Sequence, residues 1–143
     1  MKGVSAIIAT ILMLVITIGL AGTAYVYISG MLTGKTAYTI SIIDYSCSLS
    51  GANRVINLVV SNDGTADIAS GAMLIFVDNQ DRTSDFGAYA AGAWGAGNKD
   101  ISSHATKPIL TNPAAVPAWL TAGSKNILVS TASNAQRISV ICP

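Results

Sequence analysis

"MKGVSAIIATILMLVITIGLAGTAYVYISG", residues 1–30, is the stretch whose reading decides the fold. From Val4 to Leu32 no residue is charged and none is proline. As an α-helix this run is about 43 Å long, and about 20 apolar residues already span a bilayer core. Three readings compete: a cleaved secretory signal, an inert membrane anchor and an assembly helix. A secretory signal expects a charged n-region, an apolar region of about 7–15 residues and a small-x-small cleavage site. Here Lys2 is the whole n-region, and the apolar run is about twice too long. "GTA" at 22–24 is a weak cleavage match. A plain anchor explains the length but not the internal pattern.

That pattern is a seam of small and hydroxyl residues. Ala6, Thr10, Thr17, Ala21 and Ala24 recur at three-, four- or seven-residue spacing and so share a face of a helix. Ser5 and Ala9 lie beside them, and Gly19 with Thr23 forms another small-xxx-small pair. Large residues such as Ile7, Ile11, Leu14 and Ile18 fill the other faces. In lipid, small faces let helix backbones approach, because hydrophobic burial gives no net drive there. A helix that is apolar all round is buried on all sides.

The totals agree with a chain that is buried in something. Of its 143 residues, 51% are hydrophobic and 10% charged, against about 25% charged in an average soluble domain. The length holds one domain of about 100 residues plus one long segment. Glutamate is absent: every acid is an aspartate. The net charge of +1 and the scattered basic residues give no field for nucleic acid, so no nucleic-acid partner is expected.

The stretch "KGVSAIIATILMLVITIGLAGTAYVYISG" resembles the N-terminus of archaeal type IV pilins, in which a short leader ending in a basic residue and glycine precedes a long apolar helix. The resemblance covers about the first 30 residues. It implies that residues 1–3 are a prepilin leader and that a prepilin peptidase reads Lys2 and Gly3 and cuts before Val4. It also implies that the mature helix leaves the membrane, through a pilus assembly machinery, to join a bundle of identical helices. Bacterial pilins use a glutamate near the helix start, and no glutamate stands here. That agrees with an archaeal machine and leaves helix register to shape and hydroxyl contacts.

After Lys35 the periodicity changes from helix to strand. In "TAYTISIID" Tyr38, Ile40 and Ile42 share one face, with Thr39 and Ser41 on the other. "RVINLVV", "AMLIFVD", "KNILVST" and "QRISVIC" are further short β-branched runs. "SNDG" (61–64) and "TAGS" (121–124) read as turns. The expected fold is α+β: a helix over 4–34, then an all-β immunoglobulin-like sandwich of about seven strands over 35–143. "LVVSNDGTADI" also resembles the strand–Asn–x–Gly turn of archaeal pilin and archaellin heads. Two runs are apolar on both faces. Val55 and Val59 oppose Ile56, Leu58 and Val60, while Leu74 and Phe76 oppose Met73, Ile75 and Val77. A second face of that kind packs on the helix end or a neighbouring head, or is covered by a loop. "GAYAAGAWGAGNKD" (87–100) reads as a Gly/Ala-rich loop in which Tyr89 and Trp94 either plug the domain or meet a partner. Pro108, Pro113 and Pro117 mark a second irregular stretch.

Cys47 follows the first expected strand and Cys142 ends the last. Two distant cysteines in an exported chain favour one disulfide, the alternative being two buried thiols. No metal site is expected, since zinc takes about four such ligands. Asp78, Asp81 and Asp85 lie close together, but their spacing is not that of an EF-hand, and a solvated turn is expected. His104 in "SSHAT" invites a Ser-His-Asp reading that no nucleophile-elbow motif supports. No phosphate-binding loop is present. The chain is therefore expected to be no enzyme and to need no cofactor. The expectation is a homopolymer: a subunit of an extracellular filament that is membrane-inserted before assembly and serves adhesion. A swimming archaellum subunit is the close variant, and a membrane-tethered sandwich that never polymerises is the alternative.

Overall fold

The computed structural model describes residues 2–90, 93–96, 98–115 and 117–143. For residues 2–5, 33–35 and Ala90 it describes the backbone alone. The chain divides into two compact units, Met1–Gly34 and Lys35–Pro143.

The described residues of the first unit belong to one helix, α1, Lys2–Thr36. It lacks proline, and its many Leu, Ile and Ala residues favour continuous helix. It runs two residues further at each end than the apolar pattern predicts, which is ordinary fraying of a helix boundary.

Among its described residues the second unit contains nine strands in two antiparallel sheets: β1 Ile40–Ser50, β2 Asn53–Asn62, β3 Leu74–Val77, β4 Gln80–Asp81, β5 Phe86–Ala90, β6 Ala93–Gly95, β7 Thr106–Thr111, β8 Gly123–Ser130 and β9 Ala135–Cys142. One sheet has the order β1-β2-β7-β5-β6 and the other β4-β3-β8-β9. With the β5–β6 hairpin taken as one position, these are the A-B-E-D and C′-C-F-G orders of an immunoglobulin-like sandwich. Ile56, Leu58 and Val60 of the first sheet and Ile75, Ile127 and Val129 of the second are buried between them, with Phe86.

Four sequence expectations are corrected here. The sandwich has nine strands rather than about seven, the additions being the two-residue β4 and the three-residue β6. Cys47 lies inside β1 and not after it, because β1 continues to Ser50, paired with β2 along its length. "GAYAAGAWGAGNKD" is not simply a loop: β5 and β6 form a hairpin there, with Tyr89 opposite Trp94. Gly87 permits that pairing, since a Cβ on it would strike the backbone oxygen of Gly95. Ala91, Gly92 and Gly97 of this stretch lie outside the described residues. Pro108 belongs to strand β7, opposite Val59. β5 reaches β7 only at Leu110 and Thr111, and proline is tolerated in a strand with one side unpaired.

The second faces of β2 and β3 are covered in part. Val55 is buried on the outer face of β2, where Val59 is half-buried, as Phe76 is on β3. Only Leu74, 42% exposed, projects a large apolar group from β3.

Candidate functional site

The features that bear on function are the surface of α1 and the device that closes the sandwich. Every residue from Ala6 to Ile28 is exposed, and the span Ala6–Leu32 is long and apolar enough to cross a membrane or serve as a signal, with none of its length buried. Ten of its large side chains, Ile7 to Leu20, are each more than half exposed. Leaving them in water costs on the order of 10–20 kcal/mol. That rivals the whole stability of a domain, about 5–15 kcal/mol, so this surface must be covered by lipid or protein.

At 100° per residue, Ala6, Thr10, Thr17, Ala21 and Ala24 fall within an arc of about 60°, as their spacing implies. Met13 and Leu14 fall about 20° outside its two edges, so large side chains flank the seam at its middle. Gly19 and Thr23 lie about 150° away on a second small stripe, with Ala9 between the two. The hydroxyls are internally satisfied: Thr10, Thr17 and Thr23 donate to the carbonyls of Ile7, Leu14 and Leu20 at 2.8, 2.9 and 3.0 Å. A threonine bonded in this way can enter hydrocarbon without an orphaned donor. The side chains of Lys2, Gly3 and Val4 lie outside the described residues; their backbone is the first turn of α1.

In the second unit, Cys47 and Cys142 form a disulfide. It joins β1 and β9, each the edge strand of its sheet. Immunoglobulin domains instead place their inter-sheet disulfide between B and F, here β2 and β8. At the other end of the same edge Asn134 binds Ile40 twice. Its Oδ1 accepts from the Ile40 N–H at 3.0 Å and its Nδ2 donates to the Ile40 carbonyl at 2.8 Å. Thr131 Oγ1 donates to the Tyr38 carbonyl at 2.6 Å. The β1–β9 edge is thus tied at both ends.

The Asn–x–Gly turn is a structural knot. Asn62 is fully buried; its Nδ2 donates to the carbonyl of Ala66 at 2.8 Å and to those of Ile101 and Ser102 at 3.2 Å. Its Oδ1 accepts from the Gly64 N–H at 3.0 Å. A Cβ at Gly64 would lie 2.8 Å from the Thr39 nitrogen and collide with the Ala37 carbonyl, so the turn requires glycine.

The residues that invited chemistry are engaged structurally. Asp78 and Asn79, both at positive φ, form the β3–β4 turn. Asp78 Oδ1 accepts from Asn126 N–H, Asp81 Oδ1 from Thr83 N–H, and Asp85 Oδ2 from Trp119 Nε1. Among the described residues no group of three or more His, Cys, Asp or Glu could hold a metal. His104 sits at φ 57° in a turn. Trp94 is pinned through Nε1 to the Leu110 carbonyl at 3.1 Å, whereas Tyr89 is 54% exposed.

Two residues escaped the sequence reading. Lys99 is buried, and its Nζ donates to the carbonyls of Thr83, Phe86 and Ala96 at 2.9, 3.1 and 2.6 Å. Burial pushes its pKa below the usual lysine value. Trp119 packs on Phe86 with ring centroids 6.5 Å apart, under the guanidinium of Arg82. Nothing local signals either, because a lysine beside aspartate in "GNKD" reads as a solvated turn.

No family model matches the chain, and neither a curated protein nor a solved structure matches it.

Proposed function

We propose that this chain is the structural subunit of an extracellular, type IV pilus-like filament that polymerises through α1 and serves adhesion to surfaces or cells. One observation carries the reading: a helix apolar on all sides and exposed from Ala6 to Ile28 precedes a separate compact β unit. Such a helix needs an apolar environment at two stages, lipid before assembly and neighbouring copies after it. The small stripes on two sides of α1 suit contact with more than one neighbour. The Cys47–Cys142 disulfide suits an oxidising, extracytoplasmic location. Many identical subunits related head-to-tail by a non-closing rotation form a helical polymer. The resemblance of residues 1–30 to archaeal pilins adds a prepilin peptidase acting at Lys2, Gly3 and Val4.

The test is to shear cells that express the chain and image the supernatant. Filaments whose main protein is this chain support the reading. Recovery only from detergent-extracted membrane, as a monomer, defeats it and leaves a tethered β-sandwich. If filaments form, loss of swimming rather than of attachment in a deletion strain would make them archaella.

A further inference from the structure

We infer that Tyr25 and Tyr27 form an aromatic belt that sets the depth of α1 in the membrane, holding the helix before assembly with residues 5–24 in the hydrocarbon. The inference rests on the membrane-inserted stage proposed above and specifies it.

The apolar run is too long to set its own depth. Ala6–Leu32 comprises 27 residues, about 40 Å of helix, whereas the hydrocarbon core is about 30 Å thick. Some feature must decide which part is immersed, or the helix must tilt until all of it is. The two tyrosines supply that feature. They are 73% and 70% exposed. Two residues apart, they point about 200° from one another around the axis while differing by only about 3 Å in height. Side chains on opposite faces cannot both serve one helix–helix seam. A ring of amphipathic aromatics at a single height is what the headgroup level of a bilayer selects.

The spacing to the other boundary agrees. Lys2 lies 23 positions before Tyr25, about 35 Å along the axis, slightly more than the core thickness of about 30 Å. Between them the three threonines hydrogen-bond to their own helix, so these threonines enter lipid with their hydroxyls satisfied. Above the belt, Ile28 and Met31 remain outside the hydrocarbon.

The experiment uses the full chain in membranes of a host without filament machinery. Single cysteines are introduced as Leu20→Cys, Ala24→Cys, Met31→Cys and Leu32→Cys, with Ser84→Cys as an exposed reporter in the β domain. Each is labelled from outside with a membrane-impermeant maleimide; Cys47 and Cys142 are paired and do not react. Met31→Cys and Leu32→Cys are expected to label like Ser84→Cys, and Leu20→Cys and Ala24→Cys at least roughly tenfold more slowly, as lipid excludes the reagent. Adding Tyr25→Ala with Tyr27→Ala is expected to slow labelling at Met31→Cys as the helix sinks or tilts, and Tyr25→Trp with Tyr27→Trp to restore it. Protection of Met31→Cys equal to that of Leu20→Cys, or a boundary unmoved by the double alanine variant, would overturn the inference. Failure of Ser84→Cys to label would instead defeat the extracytoplasmic location in the proposed function.

Discussion

Cys47 and Cys142 are bonded with their Cα atoms 5.0 Å apart, joining the edge strand of one sheet to the edge strand of the other. The bond spans 95 residues and encloses almost the whole β domain. Cross-linking a loop of that length removes about 4–5 kcal/mol of unfolded-state entropy. Replacing Cys47 and Cys142 together by serine is expected to lower the urea stability of the β domain by about that amount. Non-reducing peptide mass spectrometry of the native chain checks the premise: free thiols there would contradict the fold.

Lys99 fills three carbonyl acceptors from inside the head. Lys99→Met preserves the side-chain length but strands the oxygens of Thr83, Phe86 and Ala96. The expected loss is about 2–4 kcal/mol at neutral pH, read from urea midpoints. The pH dependence has a definite sign. Burial lowers the folded pKa of Lys99 below 10.5, so between that lowered value and 10.5 the unfolded chain holds more protons than the folded one. Stability contributed by this group therefore rises with pH across the window. Wild type should gain on Lys99→Met as the solution becomes alkaline; a constant difference would refute the assignment.

Gly64 is hemmed in by backbone at Ala37 and Thr39. Gly64→Ala must displace the segment entering β1, at a cost of about 1–3 kcal/mol. Asn62→Leu removes four hydrogen-bond contacts to backbone at a buried site and is expected to cost at least as much. Thermal unfolding of both variants, with Gly71→Ala as a control at an open position, separates steric conflict from a general glycine effect.

On α1, Ala21→Leu and Gly19→Leu enlarge the two small stripes without lowering apolarity, and leucine is a good helix former at both positions. Filament yield in sheared supernatants is expected to fall roughly tenfold or more for each, with membrane insertion unchanged. Ile18→Leu, on a large-residue face, should assemble normally. Equal yields from all three would mean that the stripes take no part in packing.

The division of labour between sequence and structure follows the range of the interactions. A helix of 3.6-residue period and strands of alternating period are local facts, so α1, the change of class near Lys35, most β runs and the Asn–x–Gly turn were legible from neighbours in the chain. The cysteine pairing was legible because two cysteines leave one partner each. The β5–β6 hairpin was not, since Gly- and Ala-rich segments carry little strand propensity and pair only because Gly87 lets the Gly95 backbone come close. Pro108 looked like a breaker and is a strand residue, because tolerance of proline depends on what lies beside the strand. Lys99 stands in a stretch that reads as a loop and is buried, because its three acceptors come from segments 3 to 16 residues away. Sequence alone determined which parts of this protein are helix and sheet and that its first segment needs an apolar environment. Only the tertiary structure decided where the sheets close and which polar groups are buried, because those depend on contacts between residues far apart in the chain.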